Sequence, residues 1–293
     1  MIFLNTSSFR QYAALGFCAF TVPAILFLPQ CGWLLALTAA LTTALLCAGG
    51  PVPLPNRMIS ALLFLWNCLM LGFFASQLSQ QTDSPLPGLL LLLLSAYGAE
   101  RKTLPRVGAV LWFFLTAMYG ALLLFALPNP DLSHLTPQRN GDWTLLPYAL
   151  APTAVLYLCK ERGKSAPWLL GGVVLAALAA AVTQGLRAPD FYTAAKSVTL
   201  LGAMERLEPL VLTGLTAGGF CLMGLLCCLN EKLARKNRGA IYGFFGGAVG
   251  YFLLPLLSDV VLAVGTAIFW GLLPFCLQLI DFLKKFKKIE KNA

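Results

Sequence analysis

The chain has 293 residues, of which 58% are hydrophobic and only 11% charged, against about 45–50% and about 25% in a soluble domain. So little polar surface cannot coat a globule in water, which makes the expected class an all-α integral membrane protein embedded in a lipid bilayer. The net charge of +9 would suggest nucleic acid in a soluble protein; here it is read first as topology, and no nucleic-acid partner is expected.

A helix needs about 20 apolar residues to cross the hydrocarbon core. Ten apolar segments meet or approach that length: 12–30, 32–49, 59–77, 86–99, 106–127, 144–160, 167–186, 207–229, 239–256 and 259–282. The fourth and sixth are short, and eight spans with re-entrant pieces is the alternative count. Either number is even, so both termini fall on one side.

The positive-inside rule selects that side. With the N-terminus inside, the inner segments hold Arg10; Arg57; Arg101, Lys102 and Arg106; Lys160, Arg162 and Lys164; Lys232, Arg235, Lys236 and Arg238; and the Lys284–Lys291 cluster. The outer segments hold only Arg139, Arg187, Lys196 and Arg206. The inner side therefore carries +12 and the outer side −3. Ten helices with both termini cytoplasmic is the expected threading, ending in a basic tail at 283–293 that anionic lipids attract. The first apolar run ends in Leu28-Pro29-Gln30 and passes into another, so it reads as an uncleaved helix and not as a signal peptide.

Ten spans divide into two five-helix repeats, 12–127 and 144–282, within one transmembrane domain. An odd number per repeat inverts the second against the first, the plan of many secondary transporters. In that plan the first helix of each half is broken near midplane, and its freed backbone groups bind the ligand. The first segment carries Phe20-Thr21-Val22-Pro23 and the sixth carries Ala149-Leu150-Ala151-Pro152-Thr153. A mid-span proline removes one helical hydrogen bond. Phe20, Thr21, Val22, Pro23, Ala149, Ala151, Pro152 and Thr153 are therefore the candidate ligand site, with backbone amides near Thr21 and Thr153 for a carboxylate. Prolines also occur in membrane helices as plain kinks.

Other polar groups at membrane depth are few. Asn67 in the third segment and Thr213 and Thr216 in the eighth are further ligand candidates, against interhelical glue for Asn67 and back-bonding for the threonines. Gly214 with Gly218, and Gly246 with Gly250, have the G-x-x-x-G spacing of close helix packing. Tyr97, Glu100 and Arg101 close the fourth segment, as an interfacial cluster or part of an inner gate. Glu205, Arg206 and Glu208 open the eighth, where acidic residues and Pro209 suit a helix start.

Enzyme chemistry has no foothold. No P-loop, G-x-S-x-G or dinucleotide fingerprint occurs. The nine cysteines form no C-x-x-C and His134 stands alone, so no metal and no cofactor is expected.

Ser8-Phe9-Arg10-Gln11 leads into a first span ending Leu28-Pro29. Ser95-Ala96-Tyr97-Gly98, Asp131-Leu132-Ser133-His134-Leu135-Thr136-Pro137 and Lys196-Ser197-Val198 follow in the central stretches. Glu205-Arg206-Leu207-Glu208-Pro209-Leu210 and a last helix with Pro274 before a Lys-rich end come after them. Together these stretches resemble the GerAB-type spore-germination permeases. The resemblance implies the amino acid–polyamine–organocation superfamily fold, a LeuT-like five-plus-five inverted repeat. It further implies a germinant-receptor subunit in the cell or inner spore membrane, beside A-type and C-type subunits, binding a small amino-acid-like germinant. The glycines expected at the family's first-helix break are missing. A stand-alone amino-acid transporter and a degenerate receptor scaffold are the alternatives.

Overall fold

Short local signals set where each helix starts and stops. The computed structural model describes residues 9–27, 41–42, 45–46, 51–79, 84–126, 143–158, 208–235 and 238–290. Among these, every regular element is helical. α1 spans Phe9–Leu26. α2 (Arg57–Ser79) begins where the Asn56 side chain accepts the N–H of Ile59 at 2.9 Å, an N-cap that satisfies one orphan donor. α3 (Leu86–Glu100) starts behind Pro85. It ends where Lys102 takes a left-handed φ of 56°, so that the Lys102 and Thr103 amides fold back onto Ala99 and Gly98 carbonyls. That tight turn feeds α4 (Leu104–Ala126) directly.

The sixth predicted segment is not a uniform helix. It is a 3₁₀ helix over Trp143–Thr153, containing Pro147 and Pro152, followed by the short α5 (Ala154–Leu158). Runs of 3₁₀ helix beyond three or four residues are uncommon, because their hydrogen bonds are poorly aligned. Here two prolines each lack the N–H that an α-helix needs. α6 spans Glu208–Ala234, and α7 spans Gly239–Leu253. The last segment runs as α8 (Asp259–Thr266), a π turn over Ala267–Leu272, and α9 (Leu273–Glu290). The Ser258 hydroxyl caps α8 by accepting from Val261 N–H. The basic cluster of the 283–293 tail is helical through Glu290, in line with α9.

Eight of the ten predicted segments thus appear as helices. Four are long and apolar enough to cross a membrane: Arg57–Gln77, Thr213–Ala234, Gly239–Leu256 and Asp259–Lys284. Four are shorter apolar helices: Ala14–Pro23, Leu86–Glu100, Leu104–Met118 and Trp143–Leu158. This is the makeup of a multi-pass membrane protein. The predicted segment 167–186 lies outside the described residues, as does nearly all of 32–49, so eight of the ten expected segments are described.

Glycine contacts fix the helix directions. A Cβ on Gly246 would meet Cys68, and one on Gly250 would stand 2.9 Å from the Cys68 carbonyl oxygen. Gly72 faces the backbone of Gly247, Gly250 and Tyr251, so α2 and α7 run parallel. Gly108 packs on Leu15, and Gly224 packs on Leu104 while Gly218 packs on Thr21. α1 and α4 therefore start at one end, and α6 runs against them. Thr266 bonds Met70 while Trp270 bonds Asn67, so the last segment is antiparallel to α2. The starts of α1, α2, α4 and α7 and the ends of α3, α5, α6 and α9 gather at one end. That end carries Arg57, Arg101, Lys102, Lys232, Arg235 and Lys284; Asp259 opens α8 at the other.

α6 is the central helix, with most of its membrane-length window buried, whereas α7 and the last segment are mostly exposed. α2 packs along α7 and beside α3; α6 packs along α3 and beside α7. α1 packs along α4, and the 3₁₀ segment packs along α8 and the π turn. α1 also meets the 3₁₀ segment, α2 meets α6, and α3 meets α7.

Candidate functional site

The candidates on the first and sixth segments come together. Phe20, Thr21, Val22, Pro23, Ala149, Ala151, Pro152 and Thr153 are all buried, and α1 lies against the 3₁₀ segment. At its edge Phe27 and Phe73 enclose Tyr148, with ring centroids 5.1 Å and 4.7 Å away.

The backbone differs from expectation in α1. Helix continues through Thr21-Val22-Pro23 to Leu26, so no break opens there. Pro23 removes only a bond to Ala19, and the hydrogen bond from Phe27 N–H to the Pro23 carbonyl, 3.0 Å, closes the turn after it. The Thr21 hydroxyl donates to the Cys18 carbonyl at 2.6 Å, a bond within its own helix. Gly218 makes this possible from the other side: a Cβ there would sit 2.5 Å from Thr21 Oγ1 and 3.2 Å from the Cys18 carbonyl oxygen. The first segment is a closely packed helix, and its missing glycines are supplied instead by α6.

Thr153 does more than close its own turn. Its hydroxyl lies 2.7 Å from the Leu150 carbonyl and 2.8 Å from the Trp270 carbonyl. The second contact has a cause in the sequence. Residue 274, four beyond Trp270, is proline and has no N–H to give that carbonyl. The π turn Ala267–Leu272 stands just before this proline. Two proline defects, one in each segment, are thus joined by one threonine.

The chain of bonds continues. Trp270 Nε1 donates to Asn67 Oδ1 at 3.0 Å, and Asn67 Nδ2 donates to Asn230 Oδ1 at 3.1 Å. Asn230 Nδ2 in turn points to Cys68 Sγ at 3.7 Å. Thr153, Trp270, Asn67 and Asn230 are all fully buried. The network ties the 3₁₀ segment, the last segment, α2 and α6 together, with the Asn67 amide bonded on both its oxygen and its nitrogen. Asn67 is therefore interhelical glue between packed helices. Asn230 and Trp270 escaped sequence reasoning. Asn230 borders the charged run Glu231-Lys232 and reads as a helix end, and a tryptophan amid apolar residues reads as core.

Replacing Thr153 by valine keeps the shape and removes the one hydroxyl proton that the Leu150 and Trp270 carbonyls share. Interhelical hydrogen bonds in membrane proteins average about 0.6 kcal/mol and reach about 1.7. Thr153→Val is expected to cost about 1 kcal/mol or more, because the Trp270 carbonyl loses its side-chain partner. Thr21→Val, which loses only an intrahelical bond, should be near neutral. Thermal unfolding of the two variants in detergent measures the difference; equal losses would remove the special role of Thr153.

Thr213 and Thr216 stand elsewhere, in a cleft of about 450 Å³ between α3, α4 and α6 that is lined also by Leu91, Leu111, Ala217 and Phe220. They do not join Thr21 and Thr153. Among the gate candidates, Tyr97 is 60% exposed, and the Arg101 guanidinium lies over its ring at 5.4 Å, a cation–π pair. Glu100 is half-buried, and its Oε2 has no hydrogen-bond partner among the described residues. Lys102 and Glu100 both act electrostatically on Glu231, and Lys232 Nζ caps the Tyr157 carbonyl at the end of α5. The fourth segment's polar end is thus joined to the end of α6, which sequence reading treated separately. Glu205 and Arg206 lie outside the described residues; Glu208 opens α6, and its side chain lies outside them too. Among the described residues no cluster of three His, Cys, Asp or Glu side chains could hold a metal ion.

No protein-family model matches the chain, and no curated protein matches it.

Proposed function

We propose that the chain is the membrane-embedded, permease-like subunit of a spore germinant receptor, binding a small amino-acid-like germinant between its first and sixth spans. The observation that carries this reading is the sixth span. It departs from α-helix at Pro147 and Pro152, where it lies against α1, as the discontinuous helix of a transporter repeat does. The packing supports the five-plus-five plan behind it. Exchanging α1 with the 3₁₀ segment, α2 with α6, α3 with α7 and α4 with the last segment turns α2–α7 packing into α6–α3, α2–α3 into α6–α7, and α1–α4 into the 3₁₀ segment against the last segment. Each of these pairings occurs, while the close packing of α1 on α6 has no equally close counterpart between the 3₁₀ segment and α2. The basic end is cytoplasmic on this reading, with both termini inside the cell or inner spore membrane, and A-type and C-type receptor subunits are its partners.

The ligand claim has a direct test. Purified protein is heated with each common amino acid in turn. A ligand at a hundred times its Kd stabilises the fold by about 2.7 kcal/mol, enough to raise the melting temperature by a few degrees in a chain of this size. The shift should shrink in the Thr21→Val/Thr153→Val double variant. No shift with any amino acid, or an undiminished shift in the double variant, counts against the site.

One observation favours the scaffold reading. Both threonine hydroxyls already donate to backbone carbonyls, and every candidate in the two segments is buried. A scaffold would give no amino-acid shift yet still purify with the A-type and C-type subunits.

A further inference from the structure

The cleft that holds Thr213 and Thr216 is built for a different occupant. α3 and α4 are joined by the tight turn Arg101–Thr103 and pack only lightly on each other above it. α6 forms the floor between them. Leu104, at the turn, packs on Gly224; Phe220, Ala217, Thr216 and Thr213 follow upward at the helical rise of about 1.5 Å per residue. The cleft therefore begins about 6 Å above the turn and reaches about 16 Å above it, within one leaflet of a hydrocarbon core about 30 Å thick. Its lining is Leu91, Leu111, Thr213, Thr216, Ala217 and Phe220, apolar except for two hydroxyls.

Its border leads from hydrocarbon to charge. On α3, Leu90, Leu94 and Tyr97 are exposed in one stripe beside Leu91. One turn further stands Arg101, exposed, with its guanidinium over the Tyr97 ring. Arg106, also exposed, stands in the first turn of α4. The third cation of the turn, Lys102, answers Glu231. An apolar cleft edged on α3 by an exposed stripe that runs through a tyrosine to an arginine, with a second arginine in the first turn of α4, has the polarity of a phospholipid: acyl chain, glycerol level, phosphate. Arginine suits the phosphate because its planar fork matches two oxygens at once.

We propose that this cleft is a binding site for an anionic phospholipid of the leaflet at the α3–α4 turn, with one acyl chain against Ala217 and Phe220 and the phosphate at Arg101 and Arg106. The proposal stands apart from the germinant reading, because it needs only the helices and the bilayer.

Photolabelling of the full chain tests it. The protein is placed in bilayers containing a phosphatidylglycerol with a diazirine in one acyl chain, or the matching phosphatidylcholine. Labelled peptides are mapped after illumination. Phosphatidylglycerol should label the cleft walls on α3, α4 and α6, and phosphatidylcholine several-fold less. Removing both cations in Arg101→Gln/Arg106→Gln, two exposed positions, should reduce cleft labelling about tenfold. Ala217→Phe should exclude the chain and reduce it as much, while labelling of α7 stays unchanged as an internal check on folding. Equal labelling by both lipids, or cleft labelling that survives the double arginine variant or Ala217→Phe with α7 unchanged, would overturn the site. Should Ala217→Phe alter α7 labelling, the double arginine variant decides alone.

Discussion

Gly72→Ala is expected to be among the most destabilising single substitutions in this protein, although it adds one methyl group. Gly72 lies where α2 crosses α7, and a Cβ there would collide with the backbone of Tyr251 and Gly250 and stand 2.8 Å from the Gly247 carbonyl oxygen. Backbone atoms cannot rotate aside as a side chain can, so the two helices must part. Overpacking a well-filled core costs about 1–3 kcal/mol, sometimes more, and parting these helices also loosens Gly246 and Gly250 from Cys68. The melting temperature should fall by several degrees. Gly120 is the control: nothing among the described residues lies within 4 Å of a Cβ there, and Gly120→Ala should be neutral or slightly stabilising through helix propensity. If the two alanine variants melt together, the crossing is not as close as described.

Asn67→Leu should come next. Leucine fills similar volume, so the change isolates polarity. It leaves Trp270 Nε1 without its acceptor and Asn230 Oδ1 without its donor, both inside a packed interior. A buried donor or acceptor left unpaired costs about 1–3 kcal/mol, offset in part because membrane helices find substitute partners before they fold. A loss of about 2 kcal/mol is expected in thermal unfolding. The double variant Asn67→Leu/Asn230→Leu should lose less than the sum of the two single changes, because the second removes a group already orphaned. Strict additivity would mean that the two amides do not bond.

Much of the architecture was legible in the chain. Helical class, the positions of eight segments and the gathering of basic residues at one end follow from apolar run length and charge placement. Both signals reflect what the bilayer demands of any sequence. The G-x-x-x-G pairs likewise announced two close approaches, Gly218 on α1 and Gly246–Gly250 on α2. The pairings of the sites were not legible. Thr21 and Thr153 look alike, each near a mid-span proline, yet one bonds only its own turn while the other reaches Trp270. The difference rests with Pro274, more than a hundred residues away, whose missing N–H leaves the Trp270 carbonyl to Thr153.

Asn67 makes the same point. Its place in an apolar run told that its amide would need partners, because hydrocarbon offers none. Only the packing of α2 against α6 and the last segment decided that these are Asn230 and Trp270. Composition, run length and charge are local sums, and the membrane reads them as they stand, so the sequence alone determined that this is a helical membrane chain and which ends lie together. A hydrogen bond between distant segments depends on helix rotation and crossing distance. Those are set by which glycines face which backbones, and the tertiary structure alone decided them.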